Sequence, residues 1–108
     1  METTTLSEEE ARQRLEGLDG WEYTNDGRIR KEFVFRTFLR SIAFVNVVAY
    51  LAEAAKHHPH IAINYNKVTL RLITHSEGSL TERDFSLARQ IEDLPMVGLV
   101  EATSTAAG

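Results

Sequence analysis

Hydrophobic and polar positions alternate between a helical and a strand period, and the first third of the chain predicts a helix followed by a hairpin. Ser7 and Glu10 have the spacing of a capping box, which predicts a helix from Glu8 to about Leu18. Beyond Gly20 the pattern becomes that of strands, and the Asn-Asp-Gly sequence at 25–27 is typical of a hairpin turn. The strand after this turn carries four residues on one face: Ile29, Lys31, Phe33 and Phe35.

The middle of the chain predicts one long apolar helix, from Phe38 to about Lys56, with Thr37 as its N-cap. Its apolar residues recur at helical spacing, at Ile42, Val45, Val48, Leu51 and Ala55, and the sector is widened by Phe44, Val47 and Ala54. A sector this wide needs cover on more than one side, and we expect a sheet and then a partner subunit to provide it. Pro59 prevents the helix from continuing.

The last third predicts a second hairpin and a closing helix. The two strands present alternating apolar residues: Ile61, Ile63 and Tyr65 in the first, and Val68, Leu70 and Leu72 in the second. A short turn near Asn66 separates them, and a second turn follows at 76–79. Thr81 and Asp84 then repeat the capping-box spacing and open a helix that runs to about Leu94.

The order of these elements is helix, two strands, helix, two strands, helix. Because hairpins dominate, this order predicts an α+β domain with a four-stranded antiparallel sheet and three helices packed on one face. At 108 residues the chain has room for one domain, over 1–108. We expect order over about 6–95 and a frayed tail over 96–108, where small and polar residues dominate.

Composition narrows the chemistry and the partners open to such a domain. The chain has no cysteine, which excludes a disulfide framework, a thiolate nucleophile and the common cysteine-based zinc sites. A net charge of −4 disfavours a nucleic-acid surface, which needs clustered cations. The first residues lack the basic and apolar regions of a secretory signal, and the apolar stretch 41–55 is too short to span a bilayer. We therefore expect a cytoplasmic protein with no direct nucleic-acid partner and no membrane.

Imidazoles and carboxylates collect at the ends of the predicted elements. The four histidines are His57, His58 and His60, all within the Lys-His-His-Pro-His-Ile sequence at 56–61, and His75 after the last predicted strand. Glu53 lies four residues before His57, so the two share a helix face on which the carboxylate can hold the ring. Asp84 lies in the first turn of the last helix, whose positive end favours an ionised carboxylate. Such side chains can converge on a small molecule.

Each of these residues also has a simpler structural interpretation. Glu53 and His57 could equally be only an ion pair at the end of a helix, because such pairs are common. Asp84 taken alone is more simply a partner in a helix cap. His60 is interpreted as a solvated loop residue. A metal site is disfavoured, because neighbouring histidines rarely ligate one ion and the chain carries no metal-ligand motif.

Three short segments and one further histidine match one known pattern. They are Glu-Ala-Ala-Lys-His-His-Pro at 53–59, Tyr-Asn-Lys-Val at 65–68, His75, and Leu-Thr-Glu-Arg-Asp at 80–84. On these segments, and more loosely from about Leu6 to Leu94, the sequence resembles the pterin-4a-carbinolamine dehydratases. The resemblance implies the α+β fold, a homodimer or homotetramer, and a pterin pocket lined by Glu53, His57, His58, His75 and Asp84.

The resemblance further implies a lyase that dehydrates a 4a-hydroxytetrahydropterin to the quinonoid dihydropterin, and so recycles the pterin cofactor of aromatic amino acid hydroxylases. This reaction requires proton transfer but no metal or cofactor, and imidazole titrates in the right range for it. We expect His57, held by Glu53, to protonate the departing hydroxyl, and His75 to act as the second acid/base. We expect His58 to position the pterin, and Asp84 to hold a histidine or the amide region of the pterin.

Two other classes of function stay open at this point. Some members of the family that the sequence resembles also act as dimerisation cofactors of a transcription factor, and no feature of this chain selects such a partner. A non-catalytic assembly factor could keep the same fold, but such a protein has no need of all five pocket residues.

Overall fold

The computed structural model describes residues 4–97, which form an α+β fold built on one antiparallel sheet. The helices are α1 (Glu8–Arg14), α2 (Phe38–Ala55) and α3 (Glu82–Glu92), and the strands are β1 (Glu22–Tyr23), β2 (Ile29–Val34), β3 (His60–Asn64) and β4 (Lys67–Leu72). The strand order is β1-β2-β4-β3 and every neighbouring pair is antiparallel. The predicted fold class is therefore confirmed. Met96 and Val97 pack against the core, and the rest of the predicted frayed tail, 98–108, lies outside the described residues.

The first helix and the first hairpin form as the local sequence predicts. The Ser7 hydroxyl accepts a hydrogen bond from the Glu10 backbone at 3.1 Å, and the Glu10 carboxylate accepts one from the Ser7 backbone at 2.9 Å. Hydrogen bonding of the Glu10 carboxylate to Ser7, to its backbone N–H first and its hydroxyl second, lowers the pKa of Glu10. The helix tightens into a 3₁₀ turn over Leu15–Gly17. Gly27, at φ 79°, supplies the left-handed residue that the Asn-Asp-Gly turn requires.

Lys31 lies on the apolar face of β2 without interrupting it. Its Nζ is 4.8 Å from the centre of the Phe33 ring, and it donates hydrogen bonds to the Glu92 carboxylate at 2.7 Å and the Asp19 carbonyl at 2.9 Å. The buried Trp21 donates its ring N–H to the same carboxylate at 2.9 Å. The lysine stem therefore covers the edge of the core while the ammonium is fully paired.

One face of α2 closes the core and the opposite face is exposed. The buried residues are Ser41, Phe44, Val48 and Ala52, and the exposed stripe, at i, i+4, i+7 and i+11, is Leu39, Ala43, Asn46 and Tyr50. The Phe44 ring packs against Phe33 and Phe35, with ring centres 4.8 and 5.0 Å apart. The predicted sector is thus correct at Phe44 and Val48, but Ala54 is exposed and Ser41 was missed.

At 18 residues, α2 is longer than the apolar stretch 41–55, which by itself is too short to span a bilayer. Its 18 residues have a mean hydropathy of 1.4, so by length and composition alone the helix could cross a membrane. Core helices of water-soluble proteins share these properties, and the Phe44 face of α2 is packed on the sheet. The absence of a membrane partner stays a prediction.

The second hairpin differs from the predicted boundaries at two residues. His60 was expected in a loop, but it is the first residue of β3, paired with Arg71 of β4, and it is exposed. Tyr65 was expected to continue the strand, but it lies in the turn at φ 57°. β3 is an edge strand with little burial, so its local pattern defines its ends poorly. On β4 the predicted apolar face of Val68, Leu70 and Leu72 is fully buried.

Candidate active site

The site forms where the end of α2 meets the start of α3. Lys56 caps α2 in the left-handed conformation, at φ 52° and ψ 45°, which is uncommon for a residue other than glycine. The next backbone N–H, that of His57, donates to the Ala52 carbonyl at 3.0 Å and so finishes the helix. Beyond this turn His57 is buried, with 6% of its surface exposed, whereas His58 is exposed. One backbone turn thus sends two adjacent imidazoles in different directions.

His57 is paired with Asp84, which lies in the first turn of α3. Asp84 Oδ1 is 2.5 Å from His57 Nε2, and the carboxylate is fully buried. Its Oδ2 accepts hydrogen bonds from the Thr74 hydroxyl at 2.8 Å and from the Thr81 backbone at 2.9 Å. The bond from Thr81 completes a capping box on α3. Asp84 is therefore both a cap partner and the residue that holds a histidine, so the two interpretations of it are compatible.

The predicted pairing of Glu53 with His57 is wrong. Glu53 Oε1 instead lies 2.8 Å from Nε2 of His58, and both side chains are largely exposed. The i, i+4 relation assumed that the helix extends through His57, but the left-handed Lys56 ends it at Ala55, two residues earlier. Because exposed ion pairs are weak, the Glu53–His58 contact contributes little to stability.

Three of the predicted residues line one small cleft, here called the histidine cleft. It has a volume of about 200 Å³ and is lined by Lys56, His57, His58, Thr74, His75, Ser76 and Arg83. His75 begins a short 3₁₀ helix after β4 and is exposed on the cleft wall. Asp84 lies behind the cleft and is hydrogen-bonded to two residues that line it, His57 and Thr74, and Glu53 contacts the lining residue His58. His60 does not line this cleft.

Arg83 is a site residue that the sequence interpretation did not identify. Its Nη2 donates to the Lys56 carbonyl at 2.8 Å and lies 3.5 Å from the Ala55 carbonyl, so it ties α3 to the carboxyl end of α2. A cation at this end of a helix is favourable because the last carbonyls are negative. With His57, it also borders a second cleft of about 320 Å³ that is lined by Glu82, Ser86 and Gln90 among others.

The arrangement is suited to proton transfer at a small polar molecule. An ionised carboxylate only accepts hydrogen bonds, so an ionised Asp84 requires a proton on His57 Nε2. No buried side-chain nitrogen or oxygen within residues 4–97 lacks a hydrogen-bond partner. His57 Nδ1 makes no hydrogen bond within that range, so it is not fully enclosed by the described residues. His57 lines both this cleft and the second one. Over the same range, no three histidine, aspartate or glutamate side chains are grouped as metal ligands.

The fold and the site together define a small α+β domain with a histidine-lined cleft between two helix ends. Residues 4–94 match the sequence profile of the family described as pterin 4 alpha carbinolamine dehydratase. The chain belongs to this family.

Individual relatives agree with this assignment. A protein of Roseiflexus sp., provisionally named pterin-4-alpha-carbinolamine dehydratase, is 52% identical over 84% of this chain and 97% of the relative. One of Aquifex aeolicus with the same provisional name is 46% identical over 82% of this chain and 89% of the relative.

Solved structures resemble the fold as well. The crystal structure of a transcriptional coactivator/pterin dehydratase from Brucella melitensis superposes with a TM-score of 0.79 at 36% identity, covering 82% of this chain and 96% of that one. A pterin dehydratase-like protein identified as a RuBisCO assembly factor in the alpha-carboxysome gives 0.58 at 23% identity, over 68% of this chain and 86% of that one. The second likeness concerns the fold alone.

Proposed function

We propose that this protein dehydrates a 4a-hydroxytetrahydropterin to the quinonoid dihydropterin, and so returns an oxidised pterin cofactor to its recycling route. The observation that carries the proposal is the buried His57–Asp84 pair, which opens onto a cleft that His58 and His75 also line. Membership of the family supports the reaction type.

The reaction is an elimination that needs one acid and one base. The bond between ring carbon 4a and its hydroxyl oxygen breaks, the oxygen leaves as water after protonation, and the adjacent ring nitrogen loses its proton as the carbon–nitrogen double bond forms. Hydroxide is a poor leaving group, so the acid lowers the barrier most at the breaking bond. No electron is transferred to or from the protein.

We assign the acid role to His57 and the second acid/base role to His75. His57 is the histidine whose ring is held in a fixed orientation by a buried carboxylate, as an acid that must aim one proton requires. His75 lies on the wall of the same cleft and is exposed, so it can exchange protons with solvent. His58 and Arg83 line the cleft between these groups and the solvent, where they can donate hydrogen bonds to the pterin.

A direct assay on the purified protein tests the proposal. A 4a-hydroxytetrahydropterin, generated by a hydroxylase in a coupled reaction, should be consumed faster than its spontaneous dehydration. Activity should be equal with and without EDTA, because the proposed chemistry uses only side chains. A rate equal to the spontaneous one would reject the function, and activity lost with chelator and restored by zinc would replace the mechanism with a metal-based one.

A second candidate is a binding role, which the coactivator/dehydratase relative of Brucella melitensis suggests. The observation favouring it is the exposed apolar surface on α2, where Leu39 is 75% and Tyr50 is 80% exposed. Co-purification of a transcriptional regulator that persists in a His57→Ala, His75→Ala double variant and is lost in Tyr50→Glu would support this role. Binding lost with the histidines would count against it.

A further inference from the structure

We propose that Thr74 and Thr81 are positioning residues that direct the proton of the His57–Asp84 pair to the imidazole. This inference rests on the proposed function, because it concerns how the same histidine is prepared for acid/base work. The two hydroxyls and Asp84 are fully or almost fully buried, and they form one continuous chain of hydrogen bonds with His57 at its end.

The direction of this chain follows from the number of protons available. Thr74 has one hydroxyl proton, and it donates that proton to Asp84 Oδ2 at 2.8 Å. The contact between the Thr74 and Thr81 hydroxyl oxygens, at 2.7 Å, must therefore use the proton of Thr81. The Thr81 oxygen in turn accepts a hydrogen bond from the Arg83 backbone at 3.2 Å. Every donor in the chain thus points toward the carboxylate.

Asp84 accepts two buried hydrogen bonds in addition to its contact with His57. Its Oδ2 accepts from Thr74 and, at 2.9 Å, from the backbone of Thr81, which leaves Oδ1 for His57. These donors favour the ionised carboxylate, so the proton shared with His57 lies on Nε2 of the ring. The other nitrogen, Nδ1, is then the one left to give or take a proton, and His57 lines the histidine cleft. Hydrogen bonds aligned in one direction polarise one another, which strengthens this preference.

The threonine hydroxyls could instead serve only to satisfy a buried carboxylate. The two roles predict different results for Thr74→Val, which keeps the shape of the side chain and removes the hydroxyl. A merely structural hydroxyl would lower the melting temperature and leave the chemistry of the remaining folded protein unchanged. A positioning hydroxyl also changes which ring nitrogen carries the proton and at what pH the enzyme works.

The experiment combines ¹⁵N NMR of the histidine ring nitrogens with pH–rate profiles. The variants are Thr74→Val, the conservative Thr74→Ser, and Thr69→Val as a control that removes a hydroxyl from the neighbouring strand β4, outside the site. In the unsubstituted protein we expect neutral His57 to carry its proton on Nε2. In Thr74→Val we expect a mixture of the two tautomers, a displaced pH–rate profile, and a kcat/KM lowered about 10- to 100-fold, the size of a lost hydrogen bond to a charged group.

Thr74→Ser and Thr69→Val should both keep the tautomer and the pH–rate profile of the unsubstituted protein. Wild-type ring shifts and an undisplaced profile in Thr74→Val would overturn the proposal, as would an Nδ1–H tautomer in the unsubstituted protein. That last measurement decides the question even if Thr74→Val does not fold. Because the NMR readout needs no substrate, a protein without dehydratase activity would reject the proposed function while the tautomer result still judges this inference.

Discussion

Asp84 lies behind His57 with no exposed surface, and a distance of 2.5 Å joins its Oδ1 to Nε2 of the ring. The histidine therefore lies between a buried carboxyl group and the cleft in which a substrate can bind. This arrangement allows the Asp84 carboxyl group to orient the His57 ring without contacting the substrate.

Replacement of either candidate acid/base histidine should lower turnover, more for His57 than for His75, and replacement of both should lower it further. We expect His57→Ala to reduce kcat about 10²- to 10⁴-fold, the usual cost of removing a general acid or base. His75→Ala should leave more activity, since His57 remains held by Asp84, and the double variant should have much less than either. Stopped-flow dehydration assays measure this. A double variant with the wild-type rate would show that the assignment is wrong.

The two carboxylates near the histidines should differ sharply in importance. Asp84→Asn replaces the acceptor that holds His57 and should lower kcat by about two orders of magnitude or more, because an amide does not fix the ring in the same way. Glu53→Gln is the matched control, since Glu53 contacts only the exposed His58. It should change kcat by less than about fivefold, in keeping with a weak surface pair. Equal losses in both variants, measured in the same assay, would contradict the geometry described above.

We expect the protein to assemble through surfaces that are apolar and exposed in the single chain. These are Phe38, Leu39 and Tyr50 on α2, and Ile63 and Tyr65 at β3, which is also a sheet edge with unpaired backbone groups. Sedimentation equilibrium at micromolar concentration should give a dimer or a tetramer. Leu39→Glu with Tyr50→Glu should weaken it, whereas Gln13→Glu on the exposed side of α1 should not. A single species at the chain mass of 12.2 kDa would refute the expectation.

The capping box of α1 predicts a dependence of stability on acid. Hydrogen bonds from Ser7 lower the pKa of Glu10 below its ordinary value of 4.5, so ionised Glu10 stabilises the folded chain above that value. The stabilisation is lost as the pH falls through the lowered pKa. Urea midpoints of the natural chain should therefore exceed those of Glu10→Gln at neutral pH and converge with them in acid. Glu9→Gln, outside the capping box, serves as the control, and an equal pH dependence there would reject this explanation.

Much of the fold could be predicted from the sequence because its determinants are local. The capping boxes at Ser7 and Thr81 and the turn glycine at 27 act within a few residues, and each appears in the structure as the spacing indicates. The ends of β3 could not be located in this way. An edge strand buries little, so its pattern does not distinguish strand from turn at His60 or Tyr65.

Three of the five predicted site residues line one cleft, but the contacts among the five could not be predicted. The positions of His57, His58 and His75 at element ends sufficed to bring them to one cleft. Which acid holds which histidine depends on Lys56, a residue with no glycine-like signature that nevertheless adopts a left-handed backbone. The contributions of Thr74 and Arg83 depend on long-range packing, which spacing along the chain does not reveal. For Arg83, the only indication in the sequence was its position next to Asp84, the capping-box acid of α3.

The separation of His57 and Asp84 along the chain also determines when their pair can form during folding. The two residues are 27 positions apart, and the whole β3–β4 hairpin lies between them. Their pairing therefore requires that this hairpin has formed and that the ends of α2 and α3 have docked, which places it among the contacts with a high entropic cost of loop closure. We expect a refolding chain to regain part of its helical signal before the His57–Asp84 pair forms, because the pair requires both helices to be docked. A chain that holds most of its secondary structure without this docking would thus lack the pair.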